Sequence, residues 1–367
     1  MAVLKQADVG LPVRNQSGRR FSTQNRFSRT IHKLWDHQEK ALVIVQFPLL
    51  VLHSESFTVN SKLHYRLAEV IQHLGPGNFF VRAVLRRICR DVELSFCDGH
   101  IDVARSGKVI RVSSRHLAYL GDIAGSFEQF FNEVEPFTEE GFQVVDYSQP
   151  RLHRYRDSGL EFEFSSFAEE VGALNDYFRW HTPAPGDTVF DAGAYCGASV
   201  YHLAQLVGQN GKVVAFEPDP LNYSILERNI SRHGLTNVVT VQSALADRSG
   251  DMKFFAEGAL GSTIAEHSSR GSSVQAVTVK TVSFEDACAC YGVPSFVKVD
   301  IEGAEIAMLA AAADFLRKQR IHFALDTNHR VAGRLTFGQV EKIFRSVGYR
   351  AESSAASGFM TTWASPA

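Results

Sequence analysis

Apolar and polar positions follow two different regimes along the chain. Between residues 34 and 150 the pattern is mixed. Val81, Val84, Leu85 and Ile88 recur at i, i+3, i+4 and i+7, the stripe of an amphipathic helix. Arg82, Arg86 and Arg90 lie on another face of that helix and read as a solvated basic face. Phe127, Phe130, Phe131 and Val134 repeat the helical spacing. Residues 92–112 read as short strands with turns at Asp98-Gly99 and Ser106-Gly107. The expectation is a smaller α+β domain over 34–150, with a linker and lead-in helix over 151–184.

From about residue 185 the order becomes regular. Thr188 to Asp191 is a short apolar strand, followed by a Gly-rich turn and a helix with Val200, Leu203 and Val207 inward. Lys212 to Glu217 is a strand, and a helix starts at Asp219 and Pro220 and ends near Gly234. Asn237 to Gln242 and Phe296 to Asp300 are strands, with a helix between them capped by Ser283 and Asp286. A helix over Glu302 to Arg317, a strand over Ile321 to Asp326 and a helix capped by Thr336 and Gln339 follow. Short strands near Tyr349 and Phe359 to Trp363 finish the chain. Strand–helix alternation means a largely parallel sheet covered on both faces, and right-handed crossovers make it doubly wound. Residues 185–367 are therefore expected to form one α/β domain.

Composition narrows the class. With 45% hydrophobic and 21% charged residues, the chain is neither a disordered scaffold nor a fibre. The longest apolar run, Ala41 to Leu52, is broken by Gln46 and Pro48 and is too short to span a bilayer. The first residues lack a signal peptide's apolar core. Five scattered cysteines make no disulfide framework, which fits reduced thiols and a cytoplasmic protein. The net charge of −2 argues against a nucleic-acid-binding chain. It conceals an uneven distribution: the first 33 residues hold seven basic residues against one acidic. That segment reads as a disordered basic tail, with an arm for an anionic surface or a targeting peptide as the functional readings.

In an open α/β sheet, ligands bind beyond the carboxyl ends of the strands. The first strand leads into Asp191-Ala192-Gly193-Ala194-Tyr195-Cys196-Gly197. Gly193 and Gly197 permit a tight turn and a close backbone approach. Tyr195 stands where a dinucleotide loop has its second glycine, and a bulky side chain there would crowd a pyrophosphate. Glu217, followed by Pro218, ends the second strand, where a carboxylate can accept both hydroxyls of a ribose. Ser243 and Ala244 end the third, beside an adenine edge. The sharpest run is Lys298-Val299-Asp300-Ile301-Glu302-Gly303-Ala304-Glu305, which crowds three carboxylates into six residues and so calls for raised pKa values or a cation.

Together these runs resemble the FkbM-type family of S-adenosylmethionine-dependent methyltransferases. Residues 191–197 look like its first motif, and Glu217-Pro218-Asp219-Pro220 with Asn229-Ile230 looks like its second. Residues 298–305 are similar to its most specific signature. The resemblance covers about residue 185 to the end. It implies a class I (Rossmann-like) methyltransferase fold, a seven-stranded, mostly parallel sheet with an antiparallel last strand. It implies S-adenosyl-L-methionine as cofactor, held by Asp191, Gly193, Ala194, Tyr195, Gly197, Glu217, Pro218, Ser243 and Ala244. The implied reaction is O-methylation of a hydroxyl on a sugar, glycan or complex natural product, with Lys298, Asp300 and Glu302 in the catalytic run. Asp326 is a departure, since the family often carries Glu there.

The base that takes the acceptor's proton is Asp300, Asp326 or His329. His329 is the one whose unperturbed pKa lies near neutral. No metal is expected; a divalent metal would fall to Asp300, Glu302 and Asp326. Arg151, His153, Arg154 and Arg156 form a basic stretch placed either to meet an anionic acceptor or as a solvated linker. Cys196 reads as a small filler, and Cys288 and Cys290 make no zinc site. An NAD-dependent oxidoreductase and a cofactor-binding module without catalysis are the competing readings.

Overall fold

The valine stripe at the start of the mixed region folds as its spacing predicts. Helix α1 (Phe79–Ile88) buries Val81, Val84 and Leu85, and Asn78 opens it by accepting from the amides of Phe80 at 2.9 Å and Val81 at 3.3 Å. On the opposite face Arg82 and Arg86 lie over the Phe96 ring at 4.9 and 5.9 Å. The computed structural model describes residues 74–255, 263–264, 276–355 and 360–367. The basic N-terminal segment and the apolar run Ala41 to Leu52 lie outside the described residues.

Strands β1 (Glu93–Phe96), β2 (His100–Arg105), β3 (Lys108–Ser113), β4 (Phe137–Glu139) and β5 (Phe142–Tyr147) form a five-stranded sheet in the order β1-β2-β3-β5-β4. β3 and β5 are parallel. A parallel pair needs a crossover, and here it holds a 3-10 turn (Ser114–Tyr119) and helices α2 (Leu120–Gly125) and α3 (Phe127–Glu133). A hairpin of β6 (Arg151–Arg154) and β7 (Glu161–Phe164) follows, then α4 (Val171–Tyr177).

Beyond it lies the larger sheet. Its strands are β8 (Thr188–Ala192), β9 (Lys212–Phe216), β10 (Val238–Val241), β15 (Phe296–Val299), β16 (His322–Asp326), β19 (Tyr349–Ser354) and β20 (Thr361–Pro366), in the order β10-β9-β8-β15-β16-β20-β19. Five neighbours run parallel, and β20 is antiparallel to both β16 and β19. The chain reverses direction in the sheet between β8 and β15, which places the switch point above those two strands. A small sheet of β11 (Ala244–Ala246), β12 (Gly250–Phe255), β13 (Thr263–Ile264) and β14 (Ala276–Ser283) is inserted after β10, and a two-stranded ribbon of β17 (Arg330–Val331) and β18 (Arg334–Leu335) follows β16. Sequence reading had no element for it, because the repeat between 242 and 283 is neither helical nor plainly alternating.

Helices cover both faces. On one, Phe190, Val214 and Phe323 pack with Phe284 of α7 (Phe284–Tyr291), Met308 of α8 (Glu305–Ala311), Leu316 of α9 (Ala313–Leu316) and Phe344 of α10 (Phe337–Ser346). On the other, Val189, Val213 and Trp363 pack with Leu174 of α4, Leu203 of α5 (Ala198–Val207) and Leu226 of α6 (Pro220–Arg232). Burying each such side chain contributes about 1.5–3 kcal/mol. Two expectations need correction. The helix over Glu302 to Arg317 starts only at Glu305 and breaks at Ala312, because Glu302 (φ 53°) and Gly303 (φ 100°) turn left-handed before it. Thr336 does not cap α10 with its side chain; its hydroxyl donates to Glu305 instead. Among the described residues no helix is long and apolar enough to cross a membrane.

Candidate functional site

The parallel register sets Lys298 of β15 beside Asp191 of β8. Both side chains are buried, and Lys298 Nζ lies 3.1 Å from Asp191 Oδ1. The same ammonium donates to the Gly193 carbonyl at 2.8 Å. Asp191 Oδ2 accepts from Ser199 Oγ at 2.6 Å, at the start of α5. Burial raises the Asp191 carboxyl despite Lys298, whereas Lys298 is held above its ordinary value by Asp191 and Asp300 against the pull of burial. These two residues therefore pin the loop between β8 and α5. Gly193 (φ 80°) has no alternative: a Cβ there would sit 1.8 Å from the Asp300 carbonyl oxygen.

Glu217 organises the next loop. Its Oε2 accepts from the Tyr195 amide at 2.9 Å and its Oε1 from the Asp219 amide at 2.8 Å. It is buried, and burial pushes its carboxyl up to about 8. Tyr195 (φ 46°) turns its ring away from the loop, stacked on Phe164 at 6.0 Å. Its hydroxyl donates to the Phe167 carbonyl at 3.0 Å and accepts from Ser165 Oγ at 3.1 Å. The bulky residue at that position thus ties the loop to the segment after β7. Asn229 does the same from α6, donating to the carbonyls of Glu163 at 2.7 Å and Cys196 at 2.8 Å.

The carboxylate run closes around His329. Its Nε2 lies 3.3 Å from Asp300 Oδ1 and 3.9 Å from Glu302, and its Nδ1 lies 3.2 Å from Glu305 Oε1. Glu305 is fully buried and also accepts from Thr336 Oγ1 at 2.6 Å and from the Gly303 amide at 2.8 Å. Burial pulls the imidazole pKa down, but Glu305, Glu302 and Asp300 together raise it well above its ordinary value. Burial pushes Asp300 up, yet His329 and Lys298 hold it below the usual carboxylate range. The surrounding carboxylates thus favour the protonated imidazole, the opposite of what a general base needs. Asp326 is different: burial, and then Asp300, push it up to about 6. Asp300, Glu302 and His329 bring ligand atoms within 4.8 Å of one another, so the metal-ligand geometry includes His329 in place of the expected Asp326.

These groups meet at a cavity of about 690 Å3 at the carboxyl ends of the parallel strands. Of the sequence-selected residues, Gly193, Tyr195, Glu217, Pro218, Ala244, Lys298, Asp300, Glu302, Asp326 and His329 line it. Asp191, Ala194, Gly197 and Ser243 do not; they stand behind it, Asp191 as the partner of Lys298 and Gly197 (φ 93°) against Leu226. The basic stretch is also placed elsewhere. Arg151 pairs with Asp146 at 3.2 Å, Arg154 with Glu135 at 3.6 Å, and Arg156 donates to the Phe131 carbonyl. None of them lines the cavity. Cys196 is fully buried and its thiol is pushed well above the ordinary value, as befits a filler.

Sequence reading missed several lining residues. Glu169 accepts from the Ala198 amide at the start of α5 at 3.1 Å, and burial pushes it up to about 7. Asn222, Tyr177 and the crossover residues Tyr119, Asp122, Gln129 and Phe130 also face the cavity. No motif marks them; only the Glu169-Glu170 pair ahead of a helix is visible in the sequence.

Residues 191–351 match the family model of the methyltransferase FkbM domain. No curated protein matches the chain. Among solved structures, a methyltransferase FkbM from Methylobacillus flagellatus is similar at 14% identity, over 83% of this chain and 62% of that one, with a TM-score of 0.37. This chain thus spans less than two thirds of that protein's length. A SAM-dependent methyltransferase from Aquifex aeolicus matches at 14% identity over 50% and 82% of the two chains, with a TM-score of 0.31. A fibrillarin from Aeropyrum pernix, with natively bound S-adenosyl-L-methionine, matches at 13% over 74% and 98%, with a TM-score of 0.36. The pinned loop, Glu217 and the His329 cluster all lie in the stretch that is similar to the methyltransferase FkbM domain.

Proposed function

We propose that the chain is an S-adenosylmethionine-dependent methyltransferase that methylates a hydroxyl of a sugar, glycan or complex natural product. The observation that carries this reading is Glu217. The amides of Tyr195 and Asp219 and the Asn222 side chain fix the carboxyl at the cavity wall, where its two oxygens suit the two adjacent hydroxyls of a ribose. The donor set fits the rest of the cofactor. Pro218, Ala244, Leu245 and Phe254 would hold the adenine, Glu169 the amino group, and the carboxylate-rich centre suits a sulfonium cation. Ser243, Ala194 and Gly197 would act by shaping the loops. When bound, the cofactor supplies an activated methyl group.

The protein then has to orient the acceptor and accept a proton. Asp326 is the base of this reading. It lines the cavity, and a carboxyl near 6 is ionised at neutral pH while still basic enough to take a hydroxyl proton. His329 holds Asp300 and Glu302 in place, and Lys298 holds the first loop. Transfer of label from methyl-labelled S-adenosylmethionine to glycan acceptors, measured with Glu217→Ala beside the unaltered chain, tests the reading. Tight NADH binding with none of S-adenosylmethionine would favour the oxidoreductase instead; cofactor binding without transfer to any acceptor would favour the non-catalytic module.

One observation favours a metal-assisted version. His329 directs Nδ1 at Glu305, the arrangement that orients metal-bound imidazoles. Turnover in EDTA separates the two: the imidazolium reading expects it unchanged.

A further inference from the structure

The acceptor side of the cavity has a chemistry of its own. The crossover between β3 and β5 and the segment after β7 bring three aromatic rings to it: Tyr119 lies 5.7 Å from Phe167, and Phe130 lies 6.1 Å from Phe167. Asp122 and Glu170 stand in the same lining. Glu170 precedes α4 without capping it through its side chain. Among the described residues it has no ion-pair partner, and its carboxyl is raised by burial and by Glu133. A half-buried carboxylate in the cavity wall, with Asp122 in the same lining, offers counter-charge to a cation.

Among the described residues nothing in the wall supplies that cation. The cavity-lining cations are Lys298 and His329, and both are spent on carboxylates of the catalytic centre. Behind the rings, His116 and His153 are kept neutral, each lowered to about 4, mainly by burial. The arginines 151, 154 and 156 are paired outside the cavity. A phosphate, sulfate or carboxylate on the acceptor would therefore meet carboxylates and aromatic side chains. An ammonium meets aromatic side chains together with counter-charges, the combination that recognises cations. Ser126 and Gln129 add neutral hydrogen-bonding groups suited to hydroxyls.

We propose that the methyl acceptor is a polyol bearing a protonated amine, which docks against Tyr119, Phe130 and Phe167 with Glu170 and Asp122 as its counter-charges. The proposal rests on the methyltransferase reading and names the substrate class of that site. Matched probes test it: deacetylated chitotriose, which carries amines, and its fully N-acetylated form. Binding of each is measured by calorimetry on the full chain saturated with S-adenosylhomocysteine. The expected result is at least tenfold tighter binding of the amine form. Glu170→Gln and Phe130→Ala should each abolish that preference while leaving S-adenosylhomocysteine affinity unchanged. Asp122→Asn, on an exposed residue, gives a third variant should Phe130→Ala fail to fold. Equal binding of the two forms, no binding of the amine form, or a preference that survives in the variants overturns the proposal. Absence of S-adenosylhomocysteine binding would overturn the methyltransferase reading instead, so the two failures are distinguishable.

Discussion

At position 195 a tyrosine replaces the glycine of a dinucleotide loop, and its ring is anchored on Phe164 rather than facing a ligand. The amide of the same residue holds Glu217, so one position serves both the loop and its acid. Glu217→Ala should weaken S-adenosylmethionine binding by about 100-fold, since each hydroxyl left without an acceptor costs about 1–3 kcal/mol; calorimetry that finds binding unchanged removes Glu217 from the site. A pH prediction concerns Asp326. Its carboxyl, raised to about 6, acts as a base only when ionised, so kcat should climb as pH rises through about 6 and then level off. Asp326→Asn should lower kcat by about 10²–10⁴-fold and erase that limb. His329→Gln removes a cation that lowers the Asp326 pKa, so the limb should persist and move to higher pH; a limb that vanished with His329 would make His329 the base. The same raised carboxyls govern stability. Asp326, Glu169 and Glu217 stand at about 6, 7 and 8 against ordinary values of 3.8, 4.5 and 4.5. At these three carboxyls the folded, cofactor-free protein thus holds more protons than the unfolded chain between about pH 4.5 and 8. Their contribution to stability should be lost as pH rises across that window, and urea melts of Glu217→Gln, compared with the unaltered chain, should lack the Glu217 share of that loss.

Between β8 and β15 the decisive feature is register, which sets a buried ammonium beside a buried carboxylate. Removing one partner strands the other, so Lys298→Met should cost about 3–5 kcal/mol in urea unfolding, and adding Asp191→Asn should recover part of it. A loss of activity without any loss of stability would instead give Lys298 a direct part in catalysis. This pair also shows how far the sequence could be read. Lys298 and Asp300 were visible as strand-end residues, and each parallel strand announced itself by a short apolar run. The partnership of Lys298 with Asp191 was not visible, because register in a sheet buried on both faces has no alternating pattern to reveal it. The protonation of His329 was hidden for a similar reason. Its three carboxylates come from residues 300 to 305, far away in sequence, and only their convergence raises it. Thr336 looked like a helix cap by local spacing, and a long-range bond to Glu305 took its hydroxyl instead.

Across the molecule, the larger sheet leans on residues before it. Asn229 of α6 exchanges hydrogen bonds with both backbone groups of Glu163, and Arg228 pairs with the Glu163 carboxylate at 2.7 Å. Trp363 of β20, fully buried, donates its indole N–H to the Asp176 carbonyl at 2.8 Å. Tyr195 reaches Ser165 and the Phe167 carbonyl, and Ala198 reaches Glu169. A fragment starting at residue 185 would expose Trp363, cost Asn229 both of its bonds to Glu163 and remove Glu169 from the start of α5. Each stranded polar group costs about 1–3 kcal/mol, and several act together against a total stability of about 5–15 kcal/mol. Residues 185–367 alone should therefore melt far below the full chain, or fail to fold, while a fragment from residue 150, which keeps β6, β7 and α4, should fold and retain S-adenosylhomocysteine binding. That second fragment lacks Tyr119, Asp122 and Phe130, so it should bind cofactor but lose discrimination between acceptors. Circular dichroism melts and calorimetry on the two fragments decide the matter: equal stability would make the stretch 150–184 a mere connector, and unequal stability with intact cofactor binding would make it part of the catalytic fold.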